Sequence, residues 1–319
     1  MPAKTNPLVS VIVPIYNAAP WLADMLDSLK DQEYGNFEAL LVNDGSTDDS
    51  AGICRLRVGD DSRFILLDKP NGGLSSARNH GLAHARGEWI TCLDADDALQ
   101  PNALRRYLET ARDTGADIVV GGFEYSETKP PVPMPALPQI IAPRNAIKIG
   151  LHQSIRLNAA WGSLYRRDIF FPDGPRYREG RWYEDLDIFY RLFERASRIA
   201  YLPEKLYFYR RNPQSFINTI SPGRFDVLDV TDEILAHYRG TDLERAARDR
   251  RFSAHYNMLV MMYANDCVDA ARESRCLAVI RQERIAELFA PGVRVKNRLG
   301  AAASLFGTRF IKLLARHYK

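Results

Sequence analysis

Four short apolar runs near the start of the chain each stop at a polar loop, and a helical pattern follows each of the first three. Leu8 to Ile15 (LVSVIVPI) ends in Tyr16-Asn17. Phe37 to Val42 (FEALLV) ends in Asn43-Asp44-Gly45-Ser46-Thr47-Asp48. Phe64 to Leu67 ends in Asp68-Lys69-Pro70-Asn71-Gly72-Gly73, and the run from Trp89 ends in Asp94-Ala95-Asp96-Asp97. Runs this short, bounded by turn residues, read as buried strands. Trp21, Leu22, Met25, Leu26 and Leu29 share one helical face, with Pro20 suited to a first turn. Asp48 begins a second helix, Ser75 to Ala85 forms a third, and Gly87 reads as a helix stop. The alternation predicts a mainly parallel sheet covered by helices. In such sheets ligands bind outside the carboxyl ends of the strands, so the loops should converge there.

The last of these loops carries three carboxylates within four residues, Asp94, Asp96 and Asp97. Clustered anions repel unless something compensates them. A hard divalent cation does so, taking carboxylate oxygens together with substrate phosphates. A metal-bridged phosphate ester at the sheet edge is therefore expected. Asp97 reads as having a secondary role, as a cap for the helix after Pro101 or as a solvated acid. Asp44 follows a buried strand, where its carboxylate can accept a nucleobase N–H or only shape a turn. Gly72 and Gly73 allow close approach of the backbone to a ligand. Glu184 and Asp185 open a helical run (Leu186, Phe189, Tyr190, Phe193), where the helix dipole alone would favour acids. Trp161 and Trp182 can stack on sugar rings or fill a core. His152 reads as a capping or surface histidine, with a metal role the alternative.

Composition removes other classes. A net charge of +3 does not suggest a nucleic-acid binder. No apolar run approaches the roughly 20 residues that span a bilayer, and no export signal is expected before the first strand. The cysteines Cys54, Cys92, Cys267 and Cys276 lack zinc-type spacing and read as reduced cytosolic thiols. No G-x-G-x-x-G follows the first strand, which argues against a dinucleotide-dependent dehydrogenase. Tyr16-Asn17-Ala18-Ala19 is not the glycine-rich basic loop of a nucleotidyltransferase, and nothing suggests a Ser-His-Asp constellation.

The segments VSVIVPIYN (Val9 to Asn17), VNDGSTDDS (Val42 to Ser50) and NGGLSSARNHGLAHARGEWITCLDADD (Asn71 to Asp97) together resemble a family 2 glycosyltransferase. WGSLYRRDIF (Trp161 to Phe170), WYEDLDIFYRLF (Trp182 to Phe193) and YFYRRNPQS (Tyr207 to Ser215) extend the resemblance. It implies the GT-A fold, an α/β architecture with a Rossmann-like, mainly parallel sheet flanked by helices. It also implies an inverting transfer from a UDP-sugar, supported by Mn²⁺ or Mg²⁺. By resemblance Asp96 is the metal ligand, Asp94 lies near the ribose and the metal, and Asp44 contacts uracil. Pro14, Tyr16, Asn17, Gly45, Asn71, Gly72, Gly73, Arg78 and Ala95 complete the donor site. Arg210, Arg211 and Ser215 would clamp the pyrophosphate, although Asn212-Pro213-Gln214 departs from the glycine often found there. Asp185 is the expected general base, with Glu184 as fallback or positioning partner, and Trp161 and Trp182 flank the acceptor.

The expected organisation is a glycosyltransferase domain over residues 1–220, divided into a nucleotide-binding half (1–98) and an acceptor-binding half (99–220). A helical extension covers 221–319. Proline density from Lys129 to Pro143 predicts an extended surface connection. The final stretch holds Arg294, Lys296, Arg298, Arg309, Lys312, Arg316 and Lys319 with no acid, interleaved with apolar residues. Two readings stand for it: a basic amphipathic helix on an anionic membrane, or a helix packed on its own domain. The family setting implies a cytoplasmic protein, peripheral on the inner membrane face, acting on a glycan or lipid-linked acceptor in bacterial surface-polysaccharide synthesis. The extension also offers a surface for a homodimer. A non-catalytic sugar-nucleotide-binding or scaffolding protein is the competing reading, and the full set of acids argues against it.

Overall fold

The computed structural model describes residues 6–126, 136–211 and 221–316. In chain order the elements are β1 (Val9–Ile15), α1 (Ala19–Lys30), β2 (Phe37–Asp44), α2 (Ser50–Val58), β3 (Phe64–Lys69), α3 (Leu74–His84) and β4 (Trp89–Cys92). There follow β5 (Ala98–Leu99), α4 (Ala103–Thr114), β6 (Ile118–Ser126), β7 (Gln139–Ile141), α5 (Pro143–His152), β8 (Ser163–Arg166), α6 (Glu184–Glu194) and β9 (Ile199–Arg210). The chain then turns helical through α7 (Asp226–Tyr238), α8 (Glu244–Ala264), α9 (Ala270–Phe289), α10 (Val295–Leu305) and α11 (Thr308–Ala315).

Among the described residues the strands form one sheet in the order β3-β2-β1-β4-β8-β6-β9-β5, with β7 pairing β9. β3, β2, β1 and β4 are parallel neighbours. β8 runs against β4 and β6, while β9 is parallel to β6 and antiparallel to β5 and β7. Six of the nine strands therefore share one direction, as the alternating pattern predicts. β1 and β2 are buried on both faces, which explains their largely apolar runs, and the two polar residues within those runs, Ser10 and Glu38, hydrogen-bond each other at 2.6 Å. Leu22, Met25, Leu26 and Leu29 of α1 bury completely against this sheet, the stripe expected of an amphipathic helix.

Gly87 is not a helix stop. Helix α3 ends at His84, and a Cβ at Gly87 would lie 2.6 Å from the Ser10 amide and 2.8 Å from the Leu8 carbonyl. The residue lets the chain pass close to β1. Only the second half of the proline-rich stretch is described. Pro130, Pro131, Pro133 and Pro135 lie outside the described residues, but Gln139–Ile141 pairs with β9 and Pro143 opens α5.

Two compact units divide the chain. The first holds residues 1–146 and 157–219, and the second holds 147–156 and 220–319. The end of α5 thus groups with the helical region, an association across sequence that a single division point does not provide. In the second unit His152 is buried, with Nδ1 2.8 Å from Asp249 Oδ2, while Asn297 Nδ2 donates to Asp249 Oδ1 at 2.6 Å. His152 is therefore not a surface histidine but part of a buried polar network. The expected C-terminal amphipathic helix is two helices, α10 and α11, broken at Gly307 with φ +86°.

Candidate active site

The carboxyl ends of β1, β2, β3 and β4 open onto a cavity of about 860 Å³ in the first unit. Pro14 lines it from the end of β1, Tyr16 and Asn17 from the loop that follows, and Asp44 from the end of β2. Asn71, Gly72 and Gly73 line it from the third loop, and Asp94, Ala95 and Asp96 from the fourth. Trp182 and Glu184 reach it from the segment entering α6. Residues distant in sequence thus meet because parallel strands end at one edge. Arg181 and Tyr209 also line the cavity, as does Trp21, which the sequence assigns only to the apolar face of the first helix.

Asp44 is the last residue of β2 and is almost fully buried. Its carboxylate accepts the Gly72 amide at 3.0 Å and the Gly73 amide at 2.7 Å, and pairs with Lys69. The parallel register sets Asp44 beside Lys69, so β-sheet pairing supplies the cation. Gly73 takes φ +85°, which turns both amides toward the acid. Gly45 does not line the cavity. Its φ is +70°, and a Cβ there would lie 2.8 Å from the Asn71 amide, so it lets the second and third loops touch. Asn17 joins the first and second loops: its Oδ1 accepts the Thr47 amide at 2.8 Å, and its own amide donates to Ser46 Oγ at 3.1 Å. Ser46 and Thr47 order this loop, whereas Asp48 accepts the amides of Ala19 (3.1 Å) and Ser50 (3.0 Å) at two helix starts.

Arg78 stands behind the cavity wall rather than in it. It is 1% exposed, donating to Asp94 Oδ1 at 2.8 Å and Glu184 Oε1 at 2.5 Å, with its guanidinium 5.4 Å from the Tyr177 ring centre. Burial works against its charge, but Asp94 and Glu184 more than offset that and hold it protonated. One cation thereby fixes an acid of the β4 loop against an acid of α6. Tyr183, immediately before Glu184, adopts φ +62°, an uncommon conformation for a non-glycine residue. This kink delivers Glu184 and Asp185 to the first turn of α6. Asp185 does not line the cavity; its Oδ1 accepts the Leu186 amide at 2.6 Å.

The three acids of the β4 loop have separate environments. Asp97 is buried, accepting the Tyr207 hydroxyl at 2.6 Å and the Arg210 amide at 2.8 Å. Burial, then the charges of Asp94 and Asp96, push its carboxyl up to about 9. It is thus neither a solvated acid nor the cap of α4, whose N-cap position is Asn102. Tyr207 also accepts the Asp94 amide at 3.2 Å, tying β9 to the acid loop. Arg210 donates to the Asp96 carbonyl at 3.0 Å and to Asp24 at 2.9 Å, and it does not line the cavity. Arg211 is exposed and Ser215 lies outside the described residues.

Trp161 is a core residue. It stacks on Tyr207 with centroids 4.4 Å apart and meets Phe123 edge-on at 5.1 Å. Only Trp182 of the two tryptophans reaches the cavity.

Among the described residues no group of three or more His, Cys, Asp or Glu could form a metal cage. Of the four carboxylates that line the cavity, Asp44, Asp94, Asp96 and Glu184, two (Asp94 and Asp96) share the loop after β4. That donor set fits a hard cation that takes one or two carboxylates and completes its shell with phosphate oxygens and water.

The profile of the family described as Glycosyl transferase family 2 matches residues 10–171, about half of the chain. EpsJ, an uncharacterized glycosyltransferase of Bacillus subtilis (strain 168), is 37% identical over 219 residues, covering 66% of this chain and 62% of EpsJ. The chain thus spans less than two thirds of that relative. Staphylococcus aureus TarS 1-349, in complex with UDP-GlcNAc, is similar with TM-score 0.69 and 18% identity over 97% of this chain and 87% of that one. Mannosyltransferase PcManGT of Pyrobaculum calidifontis, in complex with GDP-Man and Mn²⁺, gives TM-score 0.60 and 16% identity over 99% and 87%. At such identities the two structures establish the fold alone.

Proposed function

This chain belongs to glycosyl transferase family 2, and from that premise we propose that it transfers a sugar from a UDP-sugar to an acceptor hydroxyl with inversion. The observation that carries this reading is the meeting of Asp44, Gly72, Gly73, Asp94, Asp96 and Glu184 around one cavity at the parallel strand ends. Asp44, pinned by two backbone amides and Lys69, presents a fixed carboxylate for a uracil N–H. Pro14, Tyr16 and Asn17 form the neighbouring wall, and the Gly72-Gly73 backbone admits the nucleotide closely. Asp94 and Asp96 would hold a divalent cation, Mn²⁺ or Mg²⁺, which when bound offsets the charge developing on the diphosphate. Arg210 ends β9 and Arg211 follows it, and both would meet the diphosphate as the donor binds.

The acceptor enters on the side of Trp182. Asp185 takes the proton from its hydroxyl as that oxygen attacks the anomeric carbon, while the carbon–oxygen bond to the diphosphate breaks. A single displacement converts an α-linked donor into a β-linked product. Glu184 is committed to Arg78 and acts by fixing the helix start from which Asp185 works. The acceptor would be a glycan or a lipid-linked saccharide in bacterial surface-polysaccharide assembly at the inner face of the cytoplasmic membrane.

The test is UDP release from a panel of UDP-sugars with a saccharide acceptor, comparing the unmodified chain with Asp185→Asn. General base catalysis is worth roughly 10²–10⁴ in rate, so kcat should fall by that factor while UDP affinity stays within about twofold. Near-normal turnover in Asp185→Asn would move the base elsewhere.

A further inference from the structure

We propose that the helical unit docks on an anionic lipid surface through the outer face of α10, continued by Phe289 of α9 and by α11. This rests on that unit alone and on no assumption about the reaction. Helix α10 inverts the usual pattern of an amphipathic helix. Its inward positions are Asn297, Gly300, Ala301 and Ser304, all buried and small or polar. A Cβ at Gly300 would lie 2.9 Å from Tyr256, so the helix is drawn in close by its small residues. Its large apolar side chains point out: Val295 is 73% exposed, Leu299 66% and Phe306, at its C-cap, 73%. These positions follow a spacing of four and seven, one helical stripe. Phe306 touches Phe310 of α11 with centroids 5.2 Å apart, and Leu313 and Leu314 of α11 are also exposed. The hairpin is antiparallel, since Arg298 donates to the Ala290 carbonyl at 3.0 Å and Arg284 to the Ser304 carbonyl at 3.2 Å. Phe289, 79% exposed at the end of α9, therefore lies near the start of α10. Contiguous exposed apolar surface of this kind marks an interaction site.

The charges beside it select the partner. Lys296, Arg298, Arg309 and Arg316 are exposed, and residues 288–316 contain no acid. The nearby acids of α9 turn inward: Glu283 pairs with Arg248 at 2.6 Å and Glu287 pairs with Arg245, both acids buried. Glu273, which faces α11, is taken by Tyr263 at 2.6 Å and Lys312 at 3.7 Å. The exposed face along α10 is thus apolar with basic neighbours, the combination that seats in an anionic headgroup layer. A second copy is a poorer occupant, because a two-fold contact would set the same cations against each other.

The experiment is flotation of the full chain with vesicles of phosphatidylcholine, with and without phosphatidylglycerol. Binding is expected only with phosphatidylglycerol, weakened by salt. Arg298→Glu/Arg309→Glu should lower the partition coefficient by about twenty-five-fold or more, from about a fivefold loss per cation. Leu299→Asp/Phe306→Asp should lower it by roughly tenfold or more at unchanged helicity. Absence of binding to phosphatidylglycerol vesicles at low salt, or binding untouched by both double variants, would overturn the proposal. A concentration-dependent dimer dissolved by Leu299→Asp/Phe306→Asp would overturn it equally, assigning the face to a second copy.

Discussion

Replacing Arg78 by methionine should cost the first unit about 3 kcal/mol. Arg78 bridges Asp94 and Glu184, and its side chain is 2% exposed against 24% and 13% for the acids. Removing one member of a buried pair typically costs about 3–5 kcal/mol because the remaining charge is left uncompensated. The lower end applies here, since Asp94 and Glu184 keep some contact with water. Methionine fills a similar volume and keeps the contact with Tyr177, which limits the loss to the charge. The chain's tryptophans, Trp21, Trp89, Trp161 and Trp182, all lie in the first unit, so their fluorescence in urea follows that unit. Arg78→Met/Asp94→Asn/Glu184→Gln should recover at least half of the loss by removing both uncompensated acids. A loss below about 1 kcal/mol, or no recovery in the triple variant, would refute the bridging role. Arg78→Lys should recover less than half, because a point charge cannot reproduce the planar fork.

Asp97 makes stability depend on pH. Its folded carboxyl titrates near 9 against an ordinary value of 3.8, so its contribution is complete below about pH 4 and is lost as pH rises through about 9. In metal-free buffer Asp97→Asn should therefore gain stability relative to the unmodified chain as pH increases, by about 1 kcal/mol or more at pH 8; a gain that shrinks with pH would contradict this. Trp161→Leu should cost about 3 kcal/mol in urea unfolding while leaving the acceptor KM unchanged, as fits a core ring stacked on Tyr207. Trp182→Ala should do the reverse, raising the acceptor KM about tenfold or more with little change in the urea midpoint.

The strand-helix alternation was legible because buried parallel strands are continuous apolar runs, and their polar ends mark the ligand edge. LVSVIVPI and FEALLV could hardly be anything else. The burial of Asp97 was not legible. Asp94, Asp96 and Asp97 look alike in a string, and only the arrival of Tyr207 and the Arg210 amide from β9, more than a hundred residues on, buries Asp97. Lys69 was invisible as the partner of Asp44 because the pairing depends on the register of β2 and β3. Trp161 and Trp182 carry the same chemistry, and their separation into core and cavity is decided by neighbours from other strands. Gly87 looked like punctuation, yet its need is close passage beside β1. In α10 the burial of small polar residues reverses the rule by which amphipathic faces are read, and sequence periodicity shows a stripe without saying which side is outside.

The first measurement is UDP binding by titration calorimetry with Mn²⁺, with Mg²⁺ and with chelator, on the unmodified chain and on Asp96→Ala. Binding that requires metal and disappears in Asp96→Ala is expected if the cavity at the strand ends is a nucleotide-sugar site. Failure to bind UDP under any of these conditions, or binding equally tight with chelator and in Asp96→Ala, would contradict it.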